Sequence, residues 1–350
     1  MGRVEMTGGC TIYHGDCLDI LKSTPEQSIN CCVTSPPYFG LRDYGVDGQI
    51  GLESTQEEFV ARMVDVFRGV RRVLRDDGTL WLNLGDSYAT QAGKGNNVPQ
   101  TKWKANSYPK SAPHRSLDLG VRPKNLLGIP WRVAFALQAD GWYLRQDIIW
   151  YKPNPMPESV TDRCTKAHEY VFLLSKSERY FFDSEAIKET AAQSSIERAK
   201  YGYKHAFKNQ FAGSPSDARH QDGKQYDAGA FASEKRNRRS VWTVATRPYK
   251  GAHFATFPPA LIEPCILAGC PVGGTVLDPF GGSGTTGEVA LQHGRKAVLI
   301  ELNEEYVNLA LARVGEASRN VALEQRKQSC KLPGFTAPKP QQQSLIGGQP

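Results

Sequence analysis

The chain has 350 residues, 40% of them hydrophobic, with 43 Lys and Arg against 36 Asp and Glu for a formal charge of +7. That suffices for one large α/β domain with an appendage, or for two modest domains, each with a real core. No apolar run approaches the roughly 20 residues that span a bilayer, and MGRVEMTGGC lacks a signal-peptide core, so a soluble cytoplasmic protein is expected.

TIYHGDCLDIL begins with a short strand ending near His14-Gly15-Asp16. In SINCCVTSPPY, Ile29 to Val33 read as a buried strand broken by Pro36 and Pro37. Ser54 to Leu74 has the spacing of an amphipathic helix, with Phe59, Met63, Val66, Phe67, Val70 and Leu74 on one face. Ser54 and Glu57 offer a capping box, and Gly78 a stop. Thr79–Leu84 is the next strand.

Residues 90–125 lose all periodicity and hold 7 Lys and Arg against Asp118 alone, the pattern of a long functional or disordered loop. Trp131–Ala139 resumes as a helix, and WYLRQDIIWYK and EYVFLLSKSERYFFD follow as aromatic-rich strands. Strands alternating with helices predict an α/β layer fold. Residues 186–240 are polar and basic, with interleaved aromatics such as Tyr201, Phe207 and Tyr226. Over 186–250 there are 13 Lys and Arg against 6 Asp and Glu, so two basic segments sit on an otherwise acidic body. That distribution points to a polyanionic partner or to ordinary solvated loops.

The apolar signal returns at SVWTV and runs through PPALIEPCILAG to the end of KAVLIELNEEYVNLALARV. Beyond residue 320 the chain is polar and its end is of low complexity. The eight cysteines are scattered, with no C-x-x-C pair, so neither a zinc site nor a disulfide framework is expected and the thiols read as reduced.

TVLDPFGGSGTTGEVALQHGRKAVLIEL carries a site. Thr275–Leu277 reads as a strand, Asp278–Gly284 as a glycine-rich turn, Thr285–His293 as a helix and Lys296–Leu302 as a second strand. Glycines in a strand-to-helix turn let a ligand approach the backbone. Glu301 lies at the end of the next strand, where an acid commonly accepts from ribose hydroxyls. The turn has no P-loop lysine, which suits a ligand with adenosine and no phosphate.

With DPFGGSGTT beside TSPPY, the chain resembles the S-adenosyl-L-methionine-dependent DNA amino-methyltransferases that modify cytosine N4 or adenine N6. The proline motif precedes the glycine motif across a basic spacer, as in that family's β group, a circular permutation of the cofactor-first order. The resemblance implies a Rossmann-like fold: a circularly permuted, mostly parallel sheet with helices on both faces, plus a small target-recognition insertion. It implies catalytic-part residues 1–185, a target-recognition region 186–240, a cofactor-binding part 241–320 and a flexible tail 321–350. It implies that Ser35, Pro36, Pro37 and Tyr38 hold the target base. Asp278, Phe280, Gly281, Gly282, Ser283, Gly284, Thr285 and Thr286 would wrap S-adenosyl-L-methionine, with Glu301 and Asn303 beyond them. His253, Phe254, Thr256 and Phe257, in HFATFPPALIE, resemble an additional cofactor motif, and Asp16 resembles the acid that meets the adenine amine.

Double-stranded DNA is the implied partner, with no membrane and no metal. A cognate restriction enzyme is compatible with the resemblance, and monomer versus homodimer stays open. In this family serine at the Ser35 position more often accompanies cytosine, and aspartate or asparagine adenine, so N4 of a flipped cytosine is favoured and adenine N6 is the alternative. A catalytically silent DNA-binding protein, or methylation of RNA or of a protein amide, are more remote readings. The Pro264-Cys265 dipeptide admits a C5-cytosine nucleophile, but it lies in an apolar helical stretch that reads as packing.

Overall fold

The structure, a computed structural model, describes residues 4–89, 121–200, 234–246 and 257–330. It begins with β1 (Val4–Thr7), β2 (Cys10–His14), α1 (Cys17–Ser23), β3 (Ile29–Thr34), α2 (Gln56–Val73), β4 (Leu74–Leu84) and α3 (Ile129–Ala139). Strands β5 (Tyr143–Tyr151) and β6 (His168–Ser175) follow, then β7 (Glu189–Thr190), α4 (Gln193–Lys200), β8 (Lys235–Arg236) and β9 (Val241–Thr243). The last elements are α5 (Pro259–Gly269), β10 (Thr275–Asp278), α6 (Thr285–Gln292), β11 (Lys296–Glu301) and α7 (Glu304–Cys330).

Central strands such as β3 and the second half of β4 are buried at nearly every position, which requires cover on both faces. The pleat then sorts side chains by parity. Cys32, Leu80, Leu82, Phe172 and Leu174 pack against α1, α2 and α3. Cys31, Val33, Trp81, Val171 and Leu173 face α5, α6 and α7. The result is a three-layer α/β fold around a nine-stranded sheet ordered β1-β2-β11-β10-β3-β4-β6-β5-β9. Strands β1 and β6 run antiparallel to their neighbours, and the other seven share one direction. The expected doubly covered, mostly parallel sheet is what the chain forms.

Early and late segments interleave within this sheet. Strand β10 pairs with β3 through Val276–Cys31 and Leu277–Cys32, so the two expected parts of the domain share one core. Of the 186–240 region, β7 and β8 form a separate two-stranded sheet, and residues 201–233 lie outside the described residues. The expected loop 90–125 likewise lies outside them except for its last five residues.

Three local expectations are corrected. The capping box on α2 belongs to Thr55 and Glu58, one residue later than Ser54 and Glu57: Glu58 N donates to Thr55 Oγ1 at 3.1 Å while Thr55 N donates to Glu58 Oε2 at 3.2 Å. Both pairs fit the motif equally in sequence, and the start of the apolar face at Phe59 selects the later register. Gly78 does not stop the helix, which ends at Val73; Gly78 lies inside β4, which begins at Leu74 and pairs with β3 from Ile29 onward. Helix α7 continues to Cys330, ten residues into the segment expected as tail, through a run of good helix formers.

One buried side chain joins the elements that form the site. Asp278 ends β10, and its Oδ1 accepts from Thr34 Oγ1 of β3 at 2.6 Å. Its Oδ2 accepts from Thr286 Oγ1 of α6 at 2.6 Å, and Phe280 N adds a third donor at 3.0 Å. Burial raises the Asp278 carboxyl to about 6, with those three donors pulling it back down. Above that pH the ionised group depends on its donors; below it the acid carries its own proton. Thr34→Val, which keeps shape and strand propensity but removes one donor, is therefore expected to cost about 1–3 kcal/mol at pH 8 and clearly less at pH 5. Urea unfolding at the two pH values measures this, and an equal loss at both would contradict the assignment.

Candidate active site

In an open α/β sheet the loops at the carboxyl ends of the strands meet where the chain direction of crossovers reverses. Here those loops follow β2, β3, β10 and β11, and together they line one pocket. Of the residues expected from sequence, the pocket brings together Asp16, Ser35, Pro36, Pro37, Tyr38, Phe257, Asp278, Phe280, Gly281, Gly282, Ser283, Thr285, Glu301 and Asn303. Gly284 and Thr286 stand behind this lining. His253, Phe254 and Thr256 lie outside the described residues.

The glycine loop is held from several sides. Gly281 N donates to Ile300 O at 2.8 Å, and Gly284 N closes the turn on Gly281 O at 2.9 Å. Gly284 is the N-cap of α6 with φ +83°, and a Cβ there would sit 2.9 Å from Ala310 Cα, so both conformation and space demand glycine. Glu301 accepts from Gly282 N on Oε2 and from Asn303 N on Oε1, each at 2.8 Å. Burial raises the Glu301 carboxyl, and these backbone donors lower it. Each of its oxygens keeps a further lone pair for a ligand hydroxyl. Asp16 caps α1 with Oδ1, accepting from Leu18 N at 2.9 Å and Asp19 N at 3.2 Å. Asn303 does the same for α7, with Oδ1 accepting from Glu305 N at 2.9 Å.

Arg313 of α7 was not anticipated. Its Nη1 donates to Ser283 Oγ at 2.8 Å and Thr285 Oγ1 at 2.5 Å, so those two hydroxyls are held from behind the loop. The only sequence signal for it is a basic residue within an amphipathic helix, which usually means a solvated face.

The proline motif continues directly from β3. Pro36 is buried, while Ser35 and Tyr38 are half-buried at the pocket wall. The Tyr38 ring packs on Gly85 at the end of β4, where a Cβ would fall 2.5 Å from Cε2. Its hydroxyl donates to Glu169 Oε2 at 2.7 Å, with Asn83 Oδ1 at 3.3 Å. Ser35 Oγ reaches the Tyr38 oxygen across a long 3.5 Å contact. Burial raises the Tyr38 hydroxyl well above its usual range, and the Glu169 charge raises it further. Residues 39–50 add Arg42, Tyr44 and Gln49 to the lining, and Tyr44 meets Tyr306 of α7 edge-on at 6.2 Å. Nothing in sequence marked these beyond a glycine-rich loop.

Cys265 does not belong to this site. It is buried in α5 with its thiol directed at Leu261 O, and burial pushes its pKa far up. Cys17 does line the pocket, but burial raises its thiol to about 12, away from a nucleophilic thiolate. Among the described residues no three His, Cys, Asp or Glu side chains are grouped to hold a metal ion, and no helix is long and apolar enough to cross a membrane.

The pocket pairs two carboxylates, Asp16 and Glu301, with the apolar surfaces of Phe280, Leu302 and Tyr306 around a glycine turn. That acceptor set fits the adenosine part of S-adenosyl-L-methionine, whose hydroxyls and amine are donors, and does not suit a phosphate.

The comparisons with known proteins agree. The family described as DNA methylase, covering N6 and N4 methyltransferases, matches residues 29–312. The type II methyltransferase M.Cfr9I of Citrobacter freundii is 48% identical over 313 residues, 89% of this chain and 90% of that one. M.SmaI of Serratia marcescens is 47% identical over 307 residues, 87% and 90% of the two chains. Among solved structures, the PvuII DNA methyltransferase (cytosine-N4-specific) superposes with a TM-score of 0.58 at 20% identity, covering 90% of this chain and 93% of that one. A Thermus thermophilus protein crystallised with S-adenosyl-L-methionine gives 0.53 at 23% identity, covering 88% and 93%. These two likenesses establish the shared fold, while the family match and the near-50% identities go further: the chain belongs to the S-adenosyl-L-methionine-dependent DNA amino-methyltransferases, with the proline motif ahead of the glycine loop as in their β group.

Proposed function

We propose that this DNA methyltransferase acts on N4 of a cytosine flipped out of a short duplex site, as the modification partner in a type II system. The observation that carries this reading is that one pocket is lined by both Ser35–Tyr38 and the Asp278–Thr285 turn. A base held by the first motif therefore lies against a cofactor held by the second. When bound, S-adenosyl-L-methionine supplies an electrophilic methyl group.

The protein's part is to orient and polarise. An exocyclic amine is a poor nucleophile because its lone pair is delocalised into the ring. Acceptors aimed at its N–H bonds localise that pair and become more effective as positive charge develops. The Ser35 hydroxyl and the Pro36 carbonyl are those acceptors; Pro37 fixes the turn and donates no N–H of its own. The Tyr38 ring offers a stacking face, which offsets part of the few kcal/mol that extrusion costs. Asp16 and Glu301 accept from the cofactor's adenine amine and ribose hydroxyls, and the glycine loop encloses its methionine part.

Serine at position 35 favours cytosine, following the family's tendency, and adenine N6 remains the second reading because both bases present a similar amide-like edge. Segments 90–125 and 186–250 supply the positive charge to track phosphates, and residues 186–240 read base edges. The type II names of M.Cfr9I and M.SmaI support a companion restriction enzyme.

Incubation of the purified protein with cofactor and unmethylated duplex DNA, followed by digestion to nucleosides and mass spectrometry, is expected to yield N4-methylcytosine. N6-methyladenine would establish the second reading, and no modified base across varied DNA would sink both. Gly282 tests the cofactor half separately. It holds φ +50°, and a Cβ there would meet only Phe280 O at an ordinary 3.9 Å, so within the protein Gly282→Val strains the backbone without a clash. A β-branched residue in that region costs roughly 1–2 kcal/mol, so calorimetry should show cofactor affinity falling about tenfold. Undiminished affinity would remove this loop from the cofactor site.

A further inference from the structure

Behind the proline motif lies a mostly buried ion pair. Lys152, just after β5, contacts Glu169 Oε1 on β6, and the two side chains are only 19% and 15% exposed. The Lys152 ammonium also stands 4.3 Å from the Trp150 ring centroid, a cation–π contact beside the ion pair. The Glu169 carboxylate of this pair can only accept hydrogen bonds.

That fixes the direction of every bond leading to the pocket. Asn83 donates Nδ2 to Tyr170 O at 3.0 Å and to Glu169 Oε2 at 3.2 Å, and since a backbone carbonyl cannot donate, the amide orientation is set. Its Oδ1 therefore faces the Tyr38 hydroxyl as a second acceptor. With acceptors at Glu169 Oε2 and Asn83 Oδ1, Tyr38 must give its single proton inward. The Tyr38 oxygen is left to accept, and Ser35 Oγ is the hydroxyl beside it. Ser35 then directs its proton towards Tyr38 and its lone pairs towards the pocket. Their contact is long at 3.5 Å, and catalytic hydrogen bonds commonly tighten only when substrate is bound.

We propose that Glu169, paired with Lys152, is a positioning residue that polarises the chain Ser35–Tyr38–Glu169 and receives through it the proton released on methylation. This rests on the reading of the pocket as the base site and holds for a cytosine or an adenine amine. As the nitrogen forms its bond to the methyl carbon, the carbon–sulfur bond breaks with its electron pair remaining on sulfur. The nitrogen then passes a proton to Ser35 Oγ, Ser35 passes its own to the Tyr38 oxygen, and Tyr38 passes its own to Glu169 Oε2. One cationic sulfonium and one carboxylate become a neutral sulfide and a neutral acid, so charge and protons balance. The direction is downhill, because the methylated amine regains ring delocalisation on losing its proton and is a stronger acid than a carboxylic acid. The carboxyl side chain then returns its proton to water.

The experiment is a cycle of Tyr38→Phe, Glu169→Gln and the double variant in single-turnover methylation of duplex DNA. Tyr38→Phe keeps the stacking face and loses only the hydroxyl. Each single variant is expected to lower the methyl-transfer rate about 100-fold, with KM for DNA and cofactor unchanged. The double variant should be no slower than either single, because both remove the same chain. Cofactor affinity by calorimetry, and 2-aminopurine fluorescence at the target position without cofactor, should match wild type in all three. Multiplicative losses in the double variant, or a rise in KM that accounts for the loss, would overturn the proposal. If Glu169→Gln does not fold, Tyr38→Phe alone decides: a rate within twofold of wild type refutes the relay. Failure of the wild type to methylate any base would overturn the base-site reading itself, before any variant is made.

Discussion

The structure depends on a carboxylate placed where no water reaches it. Asp278 joins β10, β3 and the start of α6 through two hydroxyl donors at 2.6 Å and one backbone N–H at 3.0 Å. An unpaired charge in that position would cost several kcal/mol, so the site exists only because Thr34 and Thr286 satisfy it. Thr34 stands immediately before Ser35, and Phe280 opens the glycine turn. The same three hydrogen bonds that solvate the carboxylate thus set the distance between the proline motif and the glycine loop. Replacing one by an apolar contact would leave a buried acceptor unmade rather than a neutral gap.

A second consequence is a division of labour among polar groups that look alike in sequence. Ser283 and Thr285 are occupied by Arg313, Glu301 already accepts two backbone N–H groups, and Asp16 and Asn303 cap helices. Each residue is therefore fixed before a ligand arrives, and what it offers is its remaining lone pairs. Such prior commitment is what holds a site in a productive geometry. Tyr38 is the extreme case, since its ring lies on the pocket wall and its hydroxyl faces away, into a network with Glu169, Asn83 and Lys152.

Much of this was legible from the sequence, and what was not has a physical reason. Strand and helix alternation, the apolar face of α2 and the glycine turn are local patterns, and all recur in the fold at nearly the expected positions. The two motif segments likewise meet in one pocket. The errors are register-scale: Thr55 displaces Ser54 as cap, and β4 starts before Gly78, because tertiary pairing with β3 decides where a helix yields to a strand. The residues missed altogether, Arg313, Glu169, Lys152 and Asn83, act across separations of 17 to 131 positions along the chain. No periodicity encodes such contacts. A lone lysine after a strand or an arginine on a helix is read by default as a solvated charge, and only burial in the fold reveals otherwise.

The permuted order of motifs follows from the same sheet. Strands β10 and β3 are neighbours although their paired residues are roughly 245 positions apart, and the parallel register sets both carboxyl ends at one edge. What such a site requires is that four strand ends, β2, β3, β10 and β11, converge there. The order in which the chain visits them affects only where the connections run. In this chain the connection between the proline motif and the glycine turn carries the basic segment 186–250, so it leaves from β6 and returns through β9 at the far edge of the sheet. That edge lies on the Tyr38–Glu169 side of the pocket, since Glu169 belongs to β6 and Lys152 follows β5. Permutation thereby places the described ends of that connection, β6 and β9, on the proline-motif side of the sheet, across β3 and β4 from the glycine turn held between β10, α6 and α7.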